Sequence, residues 1–235
     1  MKVLDVLRTE KKYPMRYETA RSLMHRLGMI MEPDPYMKEP EGYRVRSLYF
    51  DSFTNRDYHE KEAGLECRKK IRLRTYGDDG IIKLEWKQKQ GDVQRKRSMS
   101  VSRQEAEELS RGNYRVLMER EEELAGEFYG LMMTEVYRPR CLVEYRRAAL
   151  VEAINDIRIT FDSDLRTHEG CFDLFDLKRN HCYPVWEPGR VTMEVKYNGF
   201  LFPYIKDILM PYTLTQEAAS KYCAGRKYGL GGRTT

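Results

Sequence analysis

Between Arg68 and Arg74 the chain reads Arg-Lys-Lys-Ile-Arg-Leu-Arg, and on an extended strand its alternate residues fall into two unlike sets. Side chains two apart share a face. One face therefore carries Arg68, Lys70, Arg72 and Arg74, and the other Lys69, Ile71 and Leu73. The next segment divides the same way, with Lys83, Glu85, Lys87 and Lys89 opposing Ile82, Leu84 and Trp86. In a third, Lys96, Ser98 and Ser100 oppose Met99 and Val101, and Arg97 shares the Met99 side. Two later segments agree: Arg158, Thr160 and Asp162 against Ile157, Ile159 and Phe161, then Thr192, Glu194 and Lys196 against Val191, Met193 and Val195. A single alternating strand describes the wet face of any antiparallel sheet. Five, with cations bunched as Arg-x-Arg and few acids among them, describe a surface that an anion would neutralise. Arginine's planar fork suits bidentate phosphate recognition, and lysine supplies a point charge that can follow a flexible chain.

Turn-rich joints at Tyr76-Gly77-Asp78-Asp79-Gly80 and Gln90-Gly91-Asp92 bound three alternating segments between Arg44 and Val101, the latter two joined as hairpins. Ser102-Arg103-Gln104-Glu105 fits a capping box, and helical patterns run from there in pieces to about Met133. Tyr137 to Val151 and Asp156 to Asp162 read as strands joined by a turn at Ala153-Ile154-Asn155-Asp156, and Val191 to Tyr197 as another. A helix is expected after Phe200 and a second after Thr213, where Thr213-Leu214-Thr215-Gln216 offers another capping box. Were the strands to close into a barrel with polar side chains inward, the apolar faces would point outward and need helices to cover them.

The chain has 235 residues and a formal charge of only +5, so a strong positive field must come from local segregation. Its length is consistent with one domain spanning 1–235. Five cysteines, Cys67, Cys141, Cys171, Cys182 and Cys223, show no CxxC spacing, which fits a reducing cytoplasm. Met1-Lys2-Val3-Leu4-Asp5 carries charge too early for a signal-peptide core, and no stretch approaches the roughly 20 apolar residues of a membrane span.

Several short motifs, in this order, resemble the VTC-type polyphosphate polymerase domains of the triphosphate tunnel metalloenzyme (CYTH-like) superfamily. They are Glu10-Lys11-Lys12-Tyr13, Leu48-Tyr49-Phe50-Asp51, Ile71-Arg72-Leu73-Arg74-Thr75-Tyr76-Gly77, Glu85-Trp86-Lys87, Tyr145-Arg146-Arg147-Ala148-Ala149, Ile157 through Leu165, Glu194-Val195-Lys196 and Ser220-Lys221-Tyr222. The resemblance implies an α+β fold: a closed antiparallel β-barrel, the triphosphate tunnel, with a polar, basic interior and peripheral helices. It implies Lys12, Arg72, Arg74, Lys87, Lys96, Arg147, Arg158 and Lys221 as phosphate ligands, with Tyr145 and Ser220 as hydrogen-bonding partners. Glu194 is the implied principal ligand for Mn²⁺ or Mg²⁺, and Glu10 and Glu85 are candidates to join it, since hard cations prefer oxygen. Their competing role is to pair with neighbouring Lys12, Lys83 or Lys87. Ala218 stands near a position where the family can place a further lysine.

The implied reaction is metal-dependent transfer of the γ-phosphoryl group of ATP to a growing polyphosphate chain primed by pyrophosphate. Such chemistry needs positioning and charge stabilisation more than covalent help, and Arg72, Arg74, Lys87, Arg147, Arg158, Lys221 and Glu194 are the residues implied to supply it. Two alternatives stay open, a triphosphatase using the same site and a non-catalytic polyphosphate-binding module. Nucleic acid is not an expected partner, because the cationic strands lack regular aromatic stacking positions. Asp162 and Asp164 are read as acids after a strand, either cation-binding or solvated in a turn. His25, His59, His168 and His181 show no metal-ligand spacing.

Overall fold

The alternation is realised as antiparallel strands, and the apolar parity of each strand faces helices. The computed structural model describes residues 8–77, 80–91, 93–175 and 182–231; the N-terminal stretch Met1–Asp5, Asp78, Asp79, Asp92 and His181 lie outside the described residues. In chain order the elements are β1 (Arg8–Arg16), α1 (Tyr17–Leu27), β2 (Glu32–Pro33), β3 (Tyr43–Asp51), α2 (Arg56–Glu62), β4 (Arg68–Tyr76), β5 (Ile82–Gln90), β6 (Val93–Val101) and α3 (Arg103–Ser110). After a 3₁₀ segment at Tyr114–Glu119 come α4 (Glu123–Thr134), β7 (Arg138–Glu152), β8 (Ile157–His168), β9 (Tyr183–Pro184), β10 (Arg190–Asn198), α5 (Pro203–Leu209) and α6 (Lys221–Gly231). The fold is mixed α+β with antiparallel pairing throughout the described ladders.

The chain forms two compact units. The first comprises the described parts of Met1–Arg44 with Tyr145–Leu165 and Trp186–Ala219. In it β1 pairs with β10, β10 with β8, and β2 with β7. The apolar parity of these strands, including Ile157, Ile159, Phe161, Val191, Met193 and Val195, packs with Ala20, Leu23 and Leu27 of α1 and Ile205 and Leu209 of α5. Spacing of three and four residues puts the α1 set on one stripe. Burying Leu23 and Leu27 completely is worth about 1.5–3 kcal/mol each. Glu18 in the first turn and His25 and Arg26 in the last complement the helix dipole.

The second unit comprises Val45–Glu144, Arg166–Val185 and the described residues from Ser220 onward. Here β3, β4, β5 and β6 pair in sequence order, and β9 pairs with the end of β8. Leu48, Phe50, Ile71, Leu73, Leu84, Trp86 and Leu142 supply the sheet side of a core completed by Ala106, Leu109, Leu117, Ala125, Phe128 and Met132 from the helical segments. The capping box forms as read: Ser102 Oγ accepts from Glu105 N at 3.2 Å, and Glu105 Oε2 accepts from Ser102 N at 2.6 Å. The β5–β6 hairpin closes with Gln90 opposite Val93.

Four expectations need correction. Four strands, not three, occupy 43–101, with α2 between the first two. The capping box expected at Thr213 is unused: Glu217 N donates to Lys12 O at 2.9 Å and Lys12 Nζ to Ala219 O at 3.2 Å. These bonds hold the segment alongside β1, and the helix begins at Lys221, where Ser220 O accepts from Ala224 N. The expected turn after Asp162 is also absent, because β8 runs on to His168 and bends at Asp164, whose φ is +50°. Helix α1 follows a stretch in which the sequence had suggested no element.

Candidate functional site

In the second unit the cationic parity is assembled by register into cross-strand rows. Arg68 faces Lys89, which faces Gln94; Lys70 faces Lys87, which faces Lys96; Arg72 faces Glu85, which faces Ser98; Arg74 faces Lys83, which faces Ser100. Among these described positions eight are cations and one is a carboxylate. Like charges directly opposite one another are unfavourable, so the lysine row is a local concentration of positive charge.

Glu85 is fully buried and draws three of these cations to it. Arg72 Nη2 lies 2.6 Å from its Oε2, Arg74 Nη1 lies 3.9 Å from the same atom, and Lys96 Nζ lies 2.5 Å from Oε1. Burial alone would raise the Glu85 pKa, but Arg72, Arg74 and Lys96 outweigh it and hold the carboxyl well below the usual range. Arg72 Nη1 also donates to Tyr49 Oη at 3.0 Å, and Arg74 Nε to Ser47 Oγ at 3.2 Å. Burial would raise the Tyr49 phenol, yet Arg72, Arg74 and Lys70 bring it down. Tyr49 stacks on Tyr222, whose hydroxyl donates to Asp51 Oδ2 at 2.5 Å. Ser220 and Lys221 stand at the start of α6 in the same unit, with Ser220 Oγ accepting from Cys223 N at 3.4 Å. Arg97 is on the apolar side as expected, stacked 4.0 Å over Trp86 and paired with Glu127.

The first unit carries a different pattern on its polar parity. Glu10 faces Lys196, which faces Arg158; Lys12 faces Glu194, which faces Thr160; Pro14 faces Thr192, which faces Asp162. Lys196 Nζ is 2.5 Å from Glu194 Oε1 and 3.6 Å from Glu10 Oε2, while Lys12 Nζ is 3.1 Å from Glu10 Oε1. Burial would lower the Lys12 ammonium, but Glu194, Glu10 and Asp162 together raise it. Arg147 forks onto Asp162, with Nε and Nη2 each donating at 2.7 Å, and its Cζ lies 5.2 Å from the centre of the Tyr145 ring. Burial would lower the Arg147 guanidinium, and Asp162, with Tyr145 and Glu194, overrides that. Arg158 pairs with Asp34 at 2.8 Å and donates to Tyr43 Oη at 3.0 Å. Asp162 thus serves as an arginine partner.

Lys12, Tyr145, Arg147, Arg158, Glu10 and Glu194 accordingly gather on the first unit, and Arg72, Arg74, Lys87, Lys96, Glu85, Ser220 and Lys221 belong to the second. Lys70, Lys83, Lys196 and Tyr49 were not singled out from the sequence. Parity already placed the three lysines on the charged faces, and only the register shows which side chains they oppose. Among the described residues no group of three or more His, Cys, Asp or Glu is placed to hold a metal ion. The oxygen set of the first unit nevertheless fits a hard cation: Glu194 and Glu10 share Lys196, and the buried Thr160 and Thr192 hydroxyls beside them have no hydrogen-bond partner. Mg²⁺ in phosphate-handling sites is held by one or two carboxylates plus substrate oxygens.

The sequence profile of the VTC domain family matches residues 7–229, and the chain belongs to that family. This bears out the resemblance to VTC-type domains read from the motifs. The fold is similar to that of a candidate adenylate cyclase from Bacillus halodurans, with a TM-score of 0.55 at 14% identity, covering 90% of this chain and 92% of that one. It is also similar to a Hippeastrum candidate adenylyl cyclase described as having a dominant triphosphatase activity, with a TM-score of 0.53 at 12% identity over 94% of this chain and 96% of that one. A candidate adenylate cyclase from Vibrio parahaemolyticus gives 0.51 at 11% identity, over 92% and 96%. No curated protein sequence matches the chain. No helix among the described residues is long and apolar enough to cross a membrane.

Proposed function

We propose that this chain is a metal-dependent polyphosphate polymerase, acting as a single domain and moving the γ-phosphoryl group of ATP onto the end of an inorganic polyphosphate chain. The observation that carries this reading is the cation-rich face of β4, β5 and β6, whose paired rows hold eight cations and one carboxylate. A phosphate chain carries negative charge at regular short intervals, and both arginine forks and lysine point charges can follow it. The closed barrel with a basic interior is part of the same proposal.

In this reading Arg72, Arg74, Lys87, Lys96 and Lys221 bind the donor and the chain, with Ser220 as a hydrogen-bonding partner. Lys12, Arg147 and Arg158, with Tyr145, bind phosphate oxygens and keep them oriented. Glu194 and Glu10 would hold a divalent cation, Mn²⁺ or Mg²⁺, and Glu85 is a separate candidate ligand on the second unit. Such a cation would supply positive charge to offset what develops on the phosphate oxygens during transfer. The terminal phosphate oxygen of the acceptor chain forms the new P–O bond as the bond between the γ-phosphorus and the β,γ-bridging oxygen of ATP breaks, and ADP leaves. In-line positioning of the two reactants by fixed cations supplies most of what this reaction needs.

Incubation of the protein with ATP, Mn²⁺ and pyrophosphate, followed by gel resolution of phosphate chains, tests the proposal. Chains longer than the primer are expected from the intact protein, and Glu194→Gln should abolish their growth while retaining phosphate affinity. Release of inorganic phosphate without chains would replace the polymerase by a triphosphatase. Tight triphosphate binding with no turnover would leave a binding module. The triphosphatase is the second reading with specific support, because the Hippeastrum protein of similar fold is described as having that activity.

A further inference from the structure

Within the second unit a cleft of about 1020 Å³ opens beside the start of β7, lined by residues of α4 and α6 and by the segment around Arg111. Its volume is in the range of small-molecule sites. Arg140 and Leu142 share one parity of β7, and Leu142 belongs to the apolar core that also holds Ile71 and Leu73. Arg140 thus enters the cleft from the core side of β7, whereas Arg226 comes from α6, which packs through Gly225 on Cys141, a residue of the other parity.

Four guanidinium groups line it, from Arg111, Arg138, Arg140 and Arg226, against one lining carboxylate, Glu169. Arg226 is nine-tenths buried and spends its Nη atoms on Glu169, at 3.2 Å, and on Asn55 Oδ1, at 3.0 Å. Arg140 donates from Nη2 to the carbonyls of Phe53, at 2.9 Å, and Ser52, at 3.3 Å. No carboxylate is within ion-pairing distance of it among the described residues, and the Nε atoms of Arg140 and Arg226 have no acceptor. Arg138 stacks 4.6 Å over Phe53 and is otherwise exposed, and Arg111 pairs with Glu108 at the rim. Helix α6 is pressed into place by Gly225, where a Cβ would come within 2.8 Å of Thr167 Oγ1, so Arg226 is held close to Arg140 by backbone packing. Burial first, and then the neighbouring Arg226, lower the Arg140 pKa, with Asp51 acting in the opposite direction. Tyr114, Met132, Val136 and Phe172 form an apolar wall beside them.

We propose that this cleft is a second phosphate-binding site, in which Arg138, Arg140 and Arg226 take a multiply charged phosphate group and the apolar wall accommodates an organic portion when one is attached. The inference does not depend on the polymerase reading. Of the four arginines, Arg111 pairs with Glu108 and Arg226 with Glu169, whereas Arg138 and Arg140 make no ion pair among the described residues, and the walls enclose a ligand-sized space. The ligand is either an inorganic oligophosphate or a phosphate ester such as a nucleotide, and the apolar wall distinguishes them.

Isothermal titration of the full chain with inorganic tripolyphosphate, and separately with ATP, tests this. The variant pairs Arg138→Gln with Met133→Glu, both at exposed positions, so that one cation leaves and a carboxylate enters without disturbing the core. The wild type is expected to show two binding events, of which the double variant weakens one by about tenfold or more, with an unchanged unfolding temperature. Tighter binding of ATP than of tripolyphosphate at the affected event assigns a phosphate ester, and equal binding an inorganic chain. If the charged face of β4 to β6 binds nothing, the wild type shows one event and the double variant abolishes it, so the two proposals fail separately. Isotherms that are identical for the wild type and the double variant would overturn the second site. Arg140→Gln provides an independent check: unchanged tripolyphosphate affinity in that folded variant would likewise overturn it.

Discussion

The two charged faces are built from the same strand alternation and solve opposite electrostatic problems. On the first unit acids and bases alternate in both directions: Glu10, Glu194 and Asp162 are matched by Lys12, Lys196, Arg158 and the fork of Arg147. On the second unit Glu85 is the sole carboxylate among the described rows of β4, β5 and β6, and three cations converge on it. The first face is close to neutral as it stands, which suits residues that hold a cation and orient oxygens. The second retains an excess of positive charge, which suits residues that draw in a polyanion. The difference shows that parity gives a charged face, and register decides whether that face neutralises itself.

The largest effect should come from removing the one carboxylate of the excess-positive face. Glu85→Gln leaves the buried Arg72 and Arg74 facing each other without their carboxylate, and breaking such a pair costs on the order of 3–5 kcal/mol. Denaturant unfolding should show this loss, and added tripolyphosphate should recover much of it. A variant as stable as the parent would break the comparison.

Asp162→Asn probes the balanced face. It removes the charge of a buried bidentate pair and should cost about 3 kcal/mol, with little recovery on adding tripolyphosphate. Equal rescue of both variants by the anion would show that the two faces are not electrostatically distinct.

A smaller and pH-dependent effect distinguishes two buried aspartates. Asp162 has a guanidinium, whereas Asp57 accepts hydrogen bonds from the Tyr137 hydroxyl, at 3.0 and 2.8 Å. Burial first, and then the nearby Asp51, push the Asp57 carboxyl up to about 8. A carboxyl raised above its unfolded value keeps its proton in the folded state after the unfolded chain has lost it. Its stabilising contribution is complete below the unfolded value of 3.8 and is lost as pH rises toward 8. Between about pH 5 and about pH 7 stability should fall by roughly 1.4 kcal/mol per pH unit from this group. Asp57→Asn, which stays neutral, should flatten that slope; a parallel slope in the variant would locate the titration elsewhere.

The smallest effect is a control outside both faces. Ser102→Ala removes the side-chain half of the α3 capping box and should cost about 1 kcal/mol, with triphosphate affinity unchanged. A loss of affinity in that variant would mean that the charged face responds to any loss of stability, and would weaken the interpretation of the other three.

Much of this was legible in the sequence, and the residues show why. The cap at Ser102 and the hairpin at Gln90 are local, so neighbouring residues specify them. The cationic parity was legible because period two needs no partner strand to be seen. Helices α1 and α2 were missed because α1 follows directly on a strand and α2 is short, with Asn55 entering it at a φ of +57° and making no side-chain cap. The unused cap at Thr213 shows a local signal overridden by bonds to β1 some 200 positions away. The pairing of Arg147 with Asp162 and the row of Lys70, Lys87 and Lys96 depend on register, which one sequence read strand by strand does not contain.

That register also limits how the chain can change length over evolutionary time. Glu85 and Lys87 lie on one side of β5 and Trp86 on the other. A one-codon insertion between them would exchange every later residue of the strand between the lysine row and the apolar core. Gains and losses of sequence should therefore accumulate in the connections, or within strands only in pairs that restore the side. Relatives that differ in length should keep an even count between successive cations of each strand.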